Sequence, residues 1–511
     1  MNFLELFRVT LPETVLEVAA LLVLVADLAF LRKATLKTRV AVAALLGVAG
    51  CGAALWALSL SAGAGYSYGG ALVLAQGGTA LVAQAGILVL TAITLLLLFN
   101  ETFTKHIGEF VAVLLMAAAG GLIVAAAQDL LVIFVGLELL SLGLYILTAF
   151  AKTSGKSAEA ALKYYLFGGM SAAFLLFGFS YLYGITGSTN LHQIMLALFG
   201  QVGVDARPMI TAALVLIAAG LGFKVAAAPF HLWAPDTYEG APAPAAAFIA
   251  SVSKVASFAL LIGIGAAAVH IFDGMLSPVG FVIEVPAGHA LHYLGFNYSW
   301  SLILTSLATL SMVLGNLAAL AQVSVRRLLA YSAIAHAGYI LLGLAFFSHS
   351  SLSANAILYY VLTYGLTTIG AFGVVAVVER ATGSDKMDAF AGLHERNPLL
   401  AAVLLVLFLS LAGIPPLVGF WAKFNLFAAV LGVAHSGLPL YLVALAIAMS
   451  AVSLYYYLQV LKRAYVLPAV DETPIKAHPT TTLVLVGIAL AVVLAGCFPT
   501  LLQGWIECAY R

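Results

Sequence analysis

Apolar runs of about twenty residues, separated by short polar loops, recur along the whole chain. A helix needs about 20 such residues to cross the ~30 Å hydrocarbon layer of a bilayer. On that criterion the sequence predicts about fourteen spans. They lie near 10–31, 40–61, 80–100, 109–127, 129–151, 158–184, 208–238, 242–270, 301–322, 327–347, 354–379, 398–432, 437–463 and 480–501. The seventh and twelfth are interrupted. GLGFKVAAAPFHLWAPD carries Pro229 in mid-run, and LSLAGIPPLVGFWAKF carries Gly413, Pro415 and Pro416. Proline removes a backbone donor and blocks the helical ladder. A helix broken at membrane depth needs protein or a water-filled cavity around its freed polar groups. The expected fold is therefore an all-α polytopic membrane protein of about fourteen helices, broken at the seventh and twelfth.

Composition agrees with this reading and excludes other classes. Of 511 residues, 63% are hydrophobic and 8% charged, against roughly 25% charged in a soluble domain. Mean hydropathy is +1.10. The net charge of +1 is not gathered into a basic patch, so no nucleic-acid partner is expected. The N-terminal MNFLELFRVTLPE has neither a positive leader region nor a small-residue cleavage site. Cys51, Cys497 and Cys508 form no CxxC or metal-spaced group, and no dinucleotide-binding glycine fingerprint occurs. Any flavin or iron–sulfur chemistry is thus expected in another polypeptide. Glu284, His289 and His292 lie in a long polar stretch; without further ligands they predict a surface loop or partner contact, not a metal site.

Orientation follows from loop charge. Fifteen of the 22 lysines and arginines fall in one set of loops, including Arg32, Lys105, Lys156, Arg326, Arg380 and Arg463. Only Arg8, Arg207 and Arg511 fall on the other side. The cation-rich side is expected to be cytoplasmic, with both termini on the opposite face. A faint internal repeat accompanies this alternation. AQDLLVIFVGLELLSLGLYIL (127–147) and AQVSVRRLLAYSAIAHAGYIL (321–341) share their opening AQ and closing YIL but start on opposite sides. Two broken helices, each with a nearby lysine, strengthen the reading of an inverted repeat.

Candidate chemistry lies in ionisable residues inside the predicted spans: Glu138, Lys163, Lys224, Lys254, His336 and Lys423. A charge at the bilayer centre costs about 2.5–3.5 kcal/mol on insertion scales. Each residue also has a plainer reading. Lys163 is near enough to the inner interface to snorkel, His336 suits a hydrogen-bonded core, and Glu138 with Lys224 suits a static brace. Lys254 and Lys423 have no acid within their own halves. Desolvation disfavours the charged form of a buried amine, and a nearby carboxylate favours it. A row of such groups predicts a proton path whose occupancy is switched by moving a partner.

GLGFKVAAAPFHLWAPDTYEGAPAPAAAF, SLAGIPPLVGFWAKF, RRLLAYSAIAHAGY and GKSAEAALKYYLFGG resemble the antiporter-like membrane subunits of NADH–quinone oxidoreductase (respiratory complex I), and among them the subunit N family. The likeness runs from the third span to the thirteenth. It implies fourteen helices with two inverted five-helix repeats, and a proton relay. Glu138 and Lys224 would be the acid–lysine pair of the first half-channel, Lys254 the connecting lysine, His336 a relay and Lys423 the lysine of the outward half-channel. Lys163 matches an additional lysine of that family. The resemblance further implies residues 1–108 as N-terminal helices, 109–270 and 301–463 as the repeats, 271–300 as an outer loop, and 464–511 as a C-terminal loop and helix. It implies FMN, iron–sulfur clusters, NADH and quinone on other subunits. Implied partners are subunits of the M and K/J/A types in a bacterial inner membrane. The 272–300 stretch looks longer than the family's. A cation (Na+)/proton antiporter subunit and an inert structural subunit are the competing expectations.

Overall fold

The computed structural model describes residues 3–68, 71–200, 206–276, 287–347, 351–432, 437–469 and 473–509. Among these, twelve helices are long and apolar enough to cross a bilayer. The pair Phe3–Val9 and Leu11–Phe30, bent by 71°, makes a thirteenth. The predicted twelfth span appears as two shorter apolar helices, Pro398–Ala412 and Val418–Gly432.

Both predicted breaks have the same local cause. Arg207–Val225 ends on Ala226 in the left-handed region, three residues before Pro229. Pro398–Ala412 ends on left-handed Gly413 (φ 89°), ahead of Pro415 and Pro416. A left-handed residue closes the last turn and leaves carbonyls to be satisfied by other groups. The chain then resumes as Trp233–Gly240 and Val418–Gly432. Ala226, lacking glycine's freedom, holds this conformation at a cost of roughly 1–2 kcal/mol.

The two halves repeat in detail. In the first, Gly120 and Gly143 let the helices Ile107–Ala126 and Leu130–Thr148 touch. A Cβ at Gly120 would meet the Leu140 nitrogen at 2.5 Å, and one at Gly143 the Ala117 Cβ at 2.7 Å. In the second, Gly315 and Gly338, equally spaced along the chain, do the same for the next helix pair, meeting Ala335 N at 2.6 Å and Met312 N at 2.7 Å. Small residues at both contacts permit backbone-to-backbone packing. A loop clip recurs as well. Thr186, Gly187 and Ser188 end one long helix and Thr382, Gly383 and Ser384 another, with Gly187 and Gly383 left-handed at φ 70° and 72°. Beyond each clip the chain bridges to a helix start, Asn190 to Asp129 and Lys386 to Ser324.

These clips face opposite ways. Gln128, Asn190, His192 and Gln193 line a cavity of about 480 Å³ together with Ser67 and Ala267, all from predicted outer ends. Thr102, Lys156, Arg326, Arg380 and Asp385 line one of about 330 Å³, all from predicted inner loops. Residues that loop charge assigns to one side thus line a common cavity.

Three features depart from the sequence expectation. A two-stranded hairpin, Gly65–Tyr68 with Ala71–Ala75, and a short helix, Leu191–Gly200, decorate the outer side. The 271–300 stretch is not loop throughout, since helices Ala243–Leu276 and Ala287–Leu320 enter it from both ends. Its loop assignment rested on a fall in hydropathy, which does not stop a helix when no proline lies between Pro286 and Pro398. Glu284 lies outside the described residues, as do the side chains of His289 and His292.

Candidate functional site

The Leu130–Thr148 helix, started by Asp129, whose carboxylate accepts from Leu131 N, carries Glu138 and Ser141 one turn apart. Both meet Lys224, two residues before the first break. Lys224 Nζ donates to Ser141 Oγ at 2.5 Å and lies 3.7 Å from Glu138 Oε1. The lysine is buried while the Glu138 side chain is 27% exposed. Glu138 Oε1 has no hydrogen-bond partner among the described residues. The Trp233 indole donates to the Phe223 carbonyl, so an aromatic side chain satisfies part of this broken end.

Lys254, on the buried helix Ala243–Leu276, donates to the Ala333 carbonyl at 2.6 Å. Its ammonium stands 5.6 Å from the Tyr364 ring centre. Tyr364 in turn packs 4.8 Å from the His336 ring. His336 Nδ1 is 2.9 Å from the Tyr360 hydroxyl, and Nε2 has no partner among the described residues. The Tyr339 ring, 5.8 Å from His336, lies 5.6 Å from the Lys423 ammonium. Lys254, Tyr364, His336, Tyr339 and Lys423 thus form one line of contacts, leading from the helix Ala243–Leu276 to the second break.

Lys423 ends that line at the second break. Its Nζ donates to the carbonyls of Leu411 (3.0 Å) and Ala412 (2.8 Å), and to Ser450 Oγ (2.8 Å). The carbonyls are those released when Gly413 closes the helix, so the lysine caps the broken end. Neither Lys254 nor Lys423 has a carboxylate within salt-bridge distance among the described residues.

Lys163 lies apart from this line. Its side chain, 40% exposed, bridges Glu159 at 2.8 Å and Asp236 at 2.7 Å. Asp236 also binds Arg327 at 2.6 Å, and Arg327 reaches Glu239 at 3.0 Å. Glu159, Asp236, Glu239 and Arg327 line a cavity of about 220 Å³. Pro229, Gly413, Pro415 and Pro416 all fall at the breaks. Among the described residues no three His, Cys, Asp or Glu side chains come together as a metal site.

Sequence reasoning missed the groups that fill the spaces between charges: Ser141, Ser450, Tyr339, Tyr360 and Tyr364. Ser141 had a signal, one turn beyond Glu138. The tyrosines had none, because a buried aromatic stripe reads the same whether it packs a core or spaces a relay. Sequence also left Tyr455, Tyr456 and Tyr457 unassigned. Tyr456 and Tyr457 are buried, bonded to Asn316 and Ser332 respectively, while Tyr455 is 59% exposed.

Known proteins are similar to this chain over most of its length. The family described as NADH:quinone oxidoreductase/Mrp antiporter, transmembrane, matches residues 127–285 and 267–450. NADH-quinone oxidoreductase subunit N 2 of Acidobacterium capsulatum is 49% identical over 99% of both chains. Subunit N of Desulfovibrio desulfuricans is 38% identical over 97% of this chain and 95% of its own. A chain of respiratory complex I from Thermus thermophilus superposes with a TM-score of 0.74 at 32% identity, covering 96% of this chain and 98% of that one. With that similarity running over 99% of both chains, the chain belongs to the NADH-quinone oxidoreductase subunit N family of antiporter-like membrane proteins.

Proposed function

We propose that this chain carries protons across a bacterial inner membrane as a subunit of a proton-pumping NADH:quinone oxidoreductase. Oxidation of NADH and reduction of quinone, with FMN and iron–sulfur clusters, take place on other subunits. M-type and K/J/A-type membrane subunits are its neighbours, and both termini face the periplasm. Glu138 and Lys224 form the switchable pair of the first half, residues 109–270. Lys254 connects the halves, His336 and Lys423 carry the proton through the second, residues 301–463, and Lys163 joins at the inner, water-exposed end.

One observation carries the reading. Lys254 and Lys423 are buried ammonium groups held by carbonyls and a hydroxyl, with no carboxylate, and His336 stands between them through two tyrosine rings. A static core would leave such charges uncompensated, a strongly destabilising arrangement. Groups that gain and lose protons need no fixed counter-charge. Moving one charge through 100 mV takes about 2.3 kcal/mol, equal to a pKa change of under about two units. Opening or closing the 3.7 Å Glu138–Lys224 contact supplies a change of that order.

The test is Met substitution at Lys224, Lys254 and Lys423, with proton pumping measured in assembled complexes. Each replacement is expected to abolish most pumping, and full pumping in all three refutes the relay. Co-purification with flavin and iron–sulfur subunits separates this reading from a stand-alone sodium/proton exchanger.

A further inference from the structure

On the cation-rich side, five inner loops meet around the 330 Å³ cavity, room for roughly ten waters at bulk density. Four carboxylates line it, Glu101, Glu239, Glu379 and Asp385, with Lys156, Arg326 and Arg380 opposite them. Most of these charges are committed. Arg326 grips Glu379 at 2.6 Å and the Ala241 carbonyl at 2.7 Å, Lys156 binds Glu239 at 3.2 Å, and Asp385 accepts from Ser324. Glu101 differs, having no ion pair or side-chain hydrogen bond among the described residues although it stands in this charged wall.

Glu101 also lines a second space. A space of about 10 Å³, close to the volume that holds one water, lies between Leu97, Ala243, Phe372 and Thr481. Thr481 is 2% exposed, and its hydroxyl has no partner among the described residues. Buried hydroxyls are almost always hydrogen-bonded, to ordered water where no protein group serves. Phe372 at the far wall packs 5.7 Å from Tyr238, whose hydroxyl is likewise buried and unpartnered. Ala243 begins the helix that carries Lys254.

We infer that this cavity is a proton-collecting vestibule and that Glu101 is the carboxylate that loads protons from it for the path toward Lys254. This rests on the relay proposed above and adds its intake. Hydronium or a protonated buffer in the cavity gives its proton to a Glu101 oxygen. The same proton then leaves to a water held beside Thr481, restoring the carboxylate. Burial pushes the Glu101 carboxyl up to about 7, with Glu379 adding to the rise and Arg326 and Arg380 opposing it. Near neutrality such a group is protonated about half the time, which suits exchange in both directions.

The test uses the assembled complex in membrane vesicles, with pumping followed from pH 6 to 8. Glu101→Gln is expected to slow pumping roughly tenfold at pH 8, and less at pH 6, where bulk water supplies protons directly. Glu101→Asp is expected to restore most of the rate with a shifted pH profile. Wild-type rates for Glu101→Gln across the range, while Lys254→Met stops pumping, overturn the vestibule and leave the relay standing. Undiminished pumping in Lys254→Met overturns the reading beneath it. Should Glu101→Gln not assemble, the Glu101→Asp profile decides: superposition on the wild-type curve overturns the inference.

Discussion

Glu138 and Lys224 face each other at 3.7 Å, yet the ammonium gives its short hydrogen bond to Ser141. The serine takes one of the three ammonium donors and holds the group short of a direct bond to the carboxylate. A lysine shared in this way is released from its acid more readily than one locked in a direct charge-assisted bond.

Ser141→Ala should let Glu138 take the ammonium undivided and hold it. Pumping in assembled complexes is expected to fall, by on the order of tenfold for a barrier raised by about 1.4 kcal/mol. Ser141→Thr, which keeps the hydroxyl, should retain most of the rate. Equal rates for alanine and wild type would show that the serine does not take part.

Glu138→Gln removes the counter-charge but keeps shape and hydrogen-bonding capacity. Reduced pumping with normal assembly on native gels is the expected result. Failure to assemble would point instead to a brace between the two helices, since breaking a buried pair destabilises by about 3–5 kcal/mol.

Lys423 combines two jobs that arginine and methionine separate. Methionine strips hydrogen bonds from the Leu411 and Ala412 carbonyls, an expected loss of about 1–3 kcal/mol for each group left unpaired. Arginine keeps a donor and a charge at the broken end but does not give up its proton. Lys423→Arg should thus assemble better than Lys423→Met, and neither should pump.

Tyr360→Phe removes the hydroxyl 2.9 Å from His336 Nδ1 while leaving the ring. Pumping is expected to slow with thermal stability lowered by only about 1 kcal/mol, the usual net worth of one hydrogen bond. An unchanged rate would make this tyrosine packing alone.

The charges were legible because a lysine within an apolar run is costly wherever it sits. Pro229, Pro415 and Pro416 were legible because backbone chemistry forbids an unbroken helix through them. What joins the charges was not. Tyr339 and Tyr364 look like any buried aromatics until the fold brings them beside Lys423 and Lys254. Lys163 fell within a predicted span, but its partner Asp236 lies beyond the first break, and only the fold brings Asp236 and Arg327 together. The repeat was fainter in the sequence than in the structure. The AQ and YIL matches mark it loosely, and the fold adds the TGS triplets at 186–188 and 382–384 and the paired glycines, each at a slightly different offset along the chain.

Those matching triplets fall in loops that charge assigns to opposite sides, as expected if one half repeats the other upside down. A scaffold built in that way has no preferred heading, because turning it over returns the same architecture. Whatever gives traffic through it a one-way sense must come from where the halves disagree. The sharpest disagreement is at the lysines: Lys224 precedes its kink, while Lys423 follows its own and plugs the exposed end. Exchanging that placement between halves is the alteration from which a reversed current would be expected.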